Sequence, residues 1–151
     1  MTKDVRVAHA EDDLATIAQG MWSGDCGCVP IVDEHHRPVA MITDRDICMA
    51  ALTTGRPLGD IHANTAMSHA LYSVRDTESL EKAEATMRAQ RVRRLPVVDA
   101  KGLLVGLLSM GDLLRHAEVH ARKPRERDDG LSPNSIAWTL AGISEPWASA
   151  H

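Results

Sequence analysis

Apolar and polar positions fall into short blocks whose period changes several times along the chain. Residues 4–8 (Asp4-Val5-Arg6-Val7-Ala8) alternate, which predicts a short strand. Glu11-Asp12-Asp13 then offers an N-cap and first-turn acids to a helix. That helix carries Leu14, Ile17, Ala18 and Met21 on one face, and Gly24 and Gly27 end it. Cys28 to Val32 is a compact apolar run and reads as a strand. The polar turn Asp33 to Pro38 follows, then a second strand from Val39 to Thr43 and a helix from Asp44 to about Leu52. The order then returns. Leu71 to Val74 reads as a strand, Asp76-Thr77 as the cap of a helix with Leu80, Ala83 and Met87 inward, and Leu95 to Val98 as a strand. A turn at Ala100-Lys101-Gly102, a strand from Leu103 to Leu108 and a helix from Asp112 to about Ala121 complete the set. Each half is thus β-α-β-β-α, and its two central strands are mostly apolar on both faces, which predicts sheets covered on both sides.

The second half copies the first at a fixed offset of 66 positions. Val29-Pro30-Ile31-Val32-Asp33 returns as Leu95-Pro96-Val97-Val98-Asp99, and Val39-Ala40-Met41-Ile42-Thr43 as Val105-Gly106-Leu107-Leu108-Ser109. Asp46-Ile47 becomes Asp112-Leu113, Met1-Thr2 becomes Met67-Ser68, and Met21 becomes Met87. A repeat that keeps apolar positions with one Pro, two Asp and a Thr/Ser predicts two like units about a pseudo-two-fold axis, with equivalent sites near it. The expected divisions are unit one at 1–55, a linker at 56–66, unit two at 67–121, and a charged linker with a C-terminal tail at 122–151. In the tail, Ser132 or Ser135 is placed to cap a short helix.

Composition narrows the functional classes. A net charge of −4 argues against a polyanion as main partner, so no nucleic acid is expected. Three cysteines, an odd number, and no apolar leader point to a reducing, cytoplasmic setting. No apolar run approaches the roughly 18–20 residues of a membrane span. With no Phe and a single Tyr, the core must be aliphatic.

Candidate chemistry gathers where strands give way to helices. Thr43 with Asp46, and Ser109 with Asp112, stand where a hydroxyl and the first helical N–H groups can hold an anion, and where an acid can accept from ribose hydroxyls. The same four residues are equally suited to be N-caps and first-turn acids, with no ligand. Cys26, Cys28 and Cys48 read as buried small hydrophobes, or as a redox pair or partial metal site if they meet in space. His62, His69, His116 and His120 are scattered; the last two stand i, i+4 without a third ligand, and no metal site is expected. Nucleophile elbows, phosphate loops and dinucleotide turns are missing from the sequence, so a bound nucleotide is expected to be sensed, not consumed.

Taken together, Val29-Pro30-Ile31-Val32-Asp33 with Met41-Ile42-Thr43-Asp44-Arg45-Asp46-Ile47, and Leu95-Pro96-Val97-Val98-Asp99 with Val105-Gly106-Leu107-Leu108-Ser109-Met110-Gly111-Asp112, resemble a tandem pair of cystathionine-β-synthase (CBS) domains, a Bateman module. The resemblance covers about residues 1–121. It implies an α/β (α+β) fold of two units, with clefts between them that bind AMP, ADP, ATP or S-adenosylmethionine and no required cofactor. It also implies that Thr43 and Ser109 contact phosphate or ribose, that Asp46 and Asp112 take the ribose hydroxyls, and that Val29-Pro30 and Leu95-Pro96 help wall the adenine. Arg93 and Arg94 are cations ready for phosphate in unit two, with Arg45 the substitute in unit one. Ala40, in place of Gly106, is expected to crowd a ligand in unit one. The implied role is a non-enzymatic sensor acting on an unknown regulated partner protein, as a homodimer meeting through helix faces at Ile47, Met49, Leu113 and Leu114, with the tail (Trp138, Leu140, Ile143) across the seam or docked on its own protomer. The alternatives are a structural dimerisation or stress protein with empty clefts, and a thiol-based redox switch.

Overall fold

A computed structural model describes residues 1–68, 70–121 and 131–144. Unit one contributes α1 (Leu14–Ser23), β1 (Cys28–Val32), β2 (Pro38–Thr43) and α2 (Asp44–Thr54). Unit two contributes β3 (Val74–Arg75), α3 (Leu80–Gln90), β4 (Arg94–Val98), β5 (Leu104–Ser109) and α4 (Met110–Ala121), and α5 (Pro133–Ser144) follows. No helix among the described residues is long and apolar enough to cross a membrane.

The offset of 66 is written into the hydrogen bonds. β1 pairs antiparallel with β2, and β4 with β5, in matching registers: Cys28 faces Thr43 as Arg94 faces Ser109. Each hairpin turns on an acid that accepts from two backbone amides, Asp33 from His35 and Arg37, and Asp99 from Lys101 and Leu103. The repeated Asp is therefore a turn device. Equivalent positions in the two turns take the left-handed conformation, His36 at φ 60° and Gly102 at φ 82°. The units touch here too, since the Leu104 amide donates to the His36 carbonyl at 3.0 Å.

The opening segments cross over. Thr2 exchanges two backbone hydrogen bonds with Leu107, so the start of unit one completes the edge of β5. Ser68, its counterpart, donates its amide to the Met41 carbonyl at 2.8 Å and receives the Met41 amide on its hydroxyl at 3.0 Å. This difference corrects the expected meaning of Gly106 and Ala40. A Cβ on Gly106 would stand 2.7 Å from Met1 Sδ and 3.1 Å from the Thr2 carbonyl, so glycine makes room for the chain's own first residues. In unit one a hydroxyl spans one side of that gap, and Ala40 packs into the core.

Two aliphatic cores result. Leu14, Ile17, Met21, Val29, Ile31, Ala40, Ile42 and Ile47 form the first, closed by Ile61 and Ala63 of the connecting segment. Val74, Ala83, Met87, Leu95, Val97, Leu108 and Leu113 form the second, joined by Leu131 and Ile136 around α5. β1 is buried along its whole length and β4 from Leu95 to Val97, but β2 and β5 alternate and Val39 is exposed, so two-sided covering holds for β1 and the middle of β4.

Other expectations also need correcting. Residues 4–8 form no strand; only Ala8 bridges, to Ile31, matching the Val74–Val97 pair of unit two. Leu71 to Ser73 are likewise outside β3. The cap of α3 is Ser79, which accepts from the Lys82 amide, while Asp76-Thr77 lie in the preceding turn. Ile47 and Leu113 are buried inside their own units and offer nothing to a partner, whereas Met49 and Leu114 stay partly exposed.

α5 packs on its own chain, against α3 and α4, the second of the two placements expected of it. Ser132 is its cap: its hydroxyl accepts from the Ser135 amide at 3.0 Å. Ile136 and Thr139 are fully buried, Leu140 and Ile143 partly so, and the Arg88 guanidinium lies 4.1 Å from the centre of the Trp138 ring. Glu84 of α3, buried at 6% exposure, accepts from the Thr139 hydroxyl at 2.6 Å and the Ser135 hydroxyl at 3.3 Å.

Candidate functional site

Both hydroxyl–acid pairs close reciprocal caps. In unit one the Asp46 carboxylate accepts from the Thr43 amide at 2.9 Å and hydroxyl at 2.7 Å, while the Asp46 amide donates back to Thr43 Oγ1 at 3.2 Å. Unit two repeats this, with the Ser109 amide at 2.8 Å and hydroxyl at 2.6 Å from Asp112, and the Asp112 amide 3.2 Å from Ser109 Oγ. Each box uses one carboxylate oxygen, Oδ2, and leaves Oδ1 for another partner. The box also locks the rotamer of an acid at a strand–helix junction.

The first helical N–H is spent the same way in both units: Asp44 donates to the Gly27 carbonyl and Met110 to the Arg93 carbonyl. After that the units part. In unit one the Arg45 amide donates to the Asp44 carboxylate at 2.7 Å. In unit two Met110 replaces that acid, and Gly111 follows.

Sequence reasoning missed Arg115. Its Nη2 lies 2.7 Å from Asp112 Oδ1, and its Nη1 is 3.4 Å from where a Gly111 Cβ would be, so the guanidinium spans the first turn of α4. The N-terminal ammonium stands 3.5 Å from the same carboxylate oxygen. Burial works to raise the pKa of Asp112, but the hydrogen bonds from Ser109 and Arg115 and the nearby N-terminal charge outweigh it and hold the carboxyl below its ordinary value. An i, i+3 acid–base pair is a common surface feature of helices, and nothing in the sequence marked this one out.

The remaining candidates are distributed as follows. Val29, Pro30, Leu95 and Pro96 are buried strand residues, with Val29 and Leu95 inside the two cores. Arg45 and Arg93 are exposed. Arg94 opens β4 and lies near Cys28, which opens β1; its charge opposes the rise that burial, with Cys26 and Asp44, imposes on the Cys28 thiol, whose pKa is pushed up to about 11. Positions 28 and 94 are repeat equivalents, so the pseudo-axis passes between these strand starts.

Only one cysteine fits the buried-hydrophobe expectation. Cys28 is buried, Cys26 is half-buried, Cys48 is exposed, and all three are free. Cys26 and Cys48 line a cavity of about 520 Å³ between α1 and α2, with Met21, Trp22, Asp44 and Ile47. Neither Ser109 nor Asp112 lines this cavity. Among the described residues no group of three or more His, Cys, Asp or Glu is placed to hold a metal ion. His69 lies outside the described residues.

Two repeat-related units with crossed openings and twin capped acids at the strand–helix junctions define a tandem α/β pair, and comparison with known proteins agrees. The CBS domain model matches residues 1–53 and 58–118, and the chain belongs to the CBS domain family as a tandem pair. It is 31% identical over 121 residues to hypoxic response protein 1 of Mycobacterium tuberculosis, covering 80% of this chain and 84% of that one. It is 30% identical over 113 residues to the uncharacterized protein MK0525 of Methanopyrus kandleri, of which it spans 58%. The crystal structure of Hypoxic Response Protein I, with two coordinated zinc ions, superposes with a TM-score of 0.68 at 30% identity, over 77% of this chain and 94% of that one. CBSX2 in complex with AMP gives a TM-score of 0.68 at 25% identity, over 81% and 95% of the two chains.

Proposed function

We propose that this chain is a non-enzymatic regulatory module that binds adenosine nucleotides in the two clefts beside the Thr43/Asp46 and Ser109/Asp112 boxes. The observation that carries the reading is the pair of rigid, pseudo-symmetric acids, each with one carboxylate oxygen outside its cap. Vicinal ribose hydroxyls are the natural donors to such an oxygen, and the hydroxyl and helix start beside it suit a phosphate. The AMP complex of CBSX2 supports the same ligand class. Val29-Pro30 and Leu95-Pro96 would border the adenine through their strand edges, with Arg45, Arg93 and Arg94 at the rims. A reducing cytoplasmic setting fits three free thiols.

Adenosine nucleotides are expected to raise the melting temperature. At a ligand concentration 100-fold above Kd the gain is about 2.7 kcal/mol, or several degrees. Thermal unfolding with AMP, ADP, ATP and S-adenosylmethionine reads it, and no shift with any of them at millimolar concentration removes the sensor reading.

The active form in this proposal is a homodimer that passes ligand-induced changes to a partner protein. Trp22 at 86% exposure, with Met49 and Leu52, leaves apolar surface on the helices of unit one that a second copy would cover. Light scattering is expected to give twice the 16.5 kDa chain mass at tens of micromolar, and a monomer mass there rules the dimer out.

A further inference from the structure

The two clefts carry the same cap but different charges beside it. Three positions differ, each read through the offset of 66. Asp44 of unit one becomes Met110, Arg45 becomes Gly111, and Met49 becomes Arg115. In unit one the Asp44 carboxylate sits on the Arg45 amide, so the second N–H of the helix start is taken and a fixed negative charge stands there. Met49, three residues beyond Asp46, contributes no charge. In unit two no carboxylate among the described residues meets the Gly111 N–H, and the Arg115 guanidinium crosses that turn, 3.6 Å separating the Gly111 Cβ position from Ser109 Oγ.

We infer that Arg115 is the specificity residue of this chain: it makes the unit-two cleft selective for adenosine ligands that carry a phosphate, while the unit-one cleft favours uncharged or cationic ones. The inference rests on the nucleotide reading above and assigns its ligand classes. In the structure Arg115 pairs with Asp112 Oδ1, the oxygen a ribose diol would need. A ribose on that oxygen therefore releases the guanidinium, which is then free to turn toward a phosphate. A phosphate on the same ligand supplies one, beside the Gly111 N–H and the helix start. A bare nucleoside breaks the Arg115–Asp112 pair and offers the cation water alone. The Arg115 side chain is 70% exposed, so it can swing between the two partners without disturbing the core. Unit one has no such exchange, and there the Asp44 carboxylate offsets the charge of Arg45 beside it.

Calorimetry of the full chain with AMP and with adenosine tests this, using Arg115→Met, which places in unit two the side chain found at the matching position of unit one. The unaltered chain is expected to bind AMP at least tenfold more tightly than adenosine at one site, with an affinity that falls as salt rises. Arg115→Met is expected to lose most of that preference and the salt dependence, with adenosine binding unchanged or slightly tighter. Arg115→Lys, which keeps the charge but not the fork, should recover part of it. Equal weakening of AMP and adenosine in Arg115→Met, or none at all, overturns the assignment while leaving nucleotide binding intact. No heat from either compound with the unaltered chain would instead fail the nucleotide reading, and the assignment with it.

Discussion

Replacing Leu113 with Ala is expected to lower the stability of the folded chain by about 2–5 kcal/mol, while Leu114→Ala, one position further, costs less than about 1 kcal/mol. Leu113 is fully buried in the second core, among side chains from the sheet, α3 and α5, whereas Leu114 is 38% exposed. Removing three heavy atoms at Leu113 leaves a void that helices pinned on three sides cannot collapse into, so the lost transfer energy and the cavity add. In a chain of this size each kcal/mol moves the melting temperature by roughly 2–4 °C. Thermal or urea unfolding of the two variants side by side gives the answer. Equal losses would mean that α4 does not present the face described.

Thr139→Val is expected to cost about 1–3 kcal/mol although it barely changes volume. The hydroxyl it removes lies 2.6 Å from a Glu84 carboxylate that is almost wholly out of water, leaving only the longer contact from Ser135. A buried acceptor stripped of its better donor bears the desolvation cost in full. Replacing both partners, Glu84→Leu with Thr139→Val, removes that debt and should recover much of the loss, which a double-mutant cycle by urea unfolding measures. A single Thr139→Val at no cost would show that α5 is held by apolar packing alone.

What could be read from the sequence followed from how local each cause is. Cys28 to Val32 announced itself because five apolar residues between breakers have few other solutions, and the structure begins and ends β1 at those residues. Thr43 and Ser109 were legible as caps for the same reason. Asp4 to Ala8 misled because alternation describes a strand's faces, not whether a partner runs beside it; only Ala8 meets one. At the start of α3, Asp76, Thr77 and Ser79 are all good caps. The choice fell to Ser79 because the Glu78 side chain turns back onto the Arg75 amide and holds the preceding residues in a turn. The sequence left the placement of α5 open between two alternatives, since the contact that holds it depends on Glu84, 55 positions from Thr139, which in sequence looks like any helix-surface acid. Arg115 was hidden by the ordinariness of its spacing from Asp112. Its meaning comes from Gly111 and Met110 beside it, and from the different residues at the matching positions of unit one.

The crossed openings set an order of events. The outer edge of β5 is closed by Thr2, a residue made more than a hundred positions earlier. While the chain is being synthesised, that opening segment has nothing to pair with until residue 107 has emerged, and the sheet of unit two stays unsealed until the beginning of the chain returns to it. Contacts that span most of a chain form late, because the loop must close before they repay its entropy. Neither half can therefore finish folding as a separate piece. The last stitch joins the first residues to the second sheet.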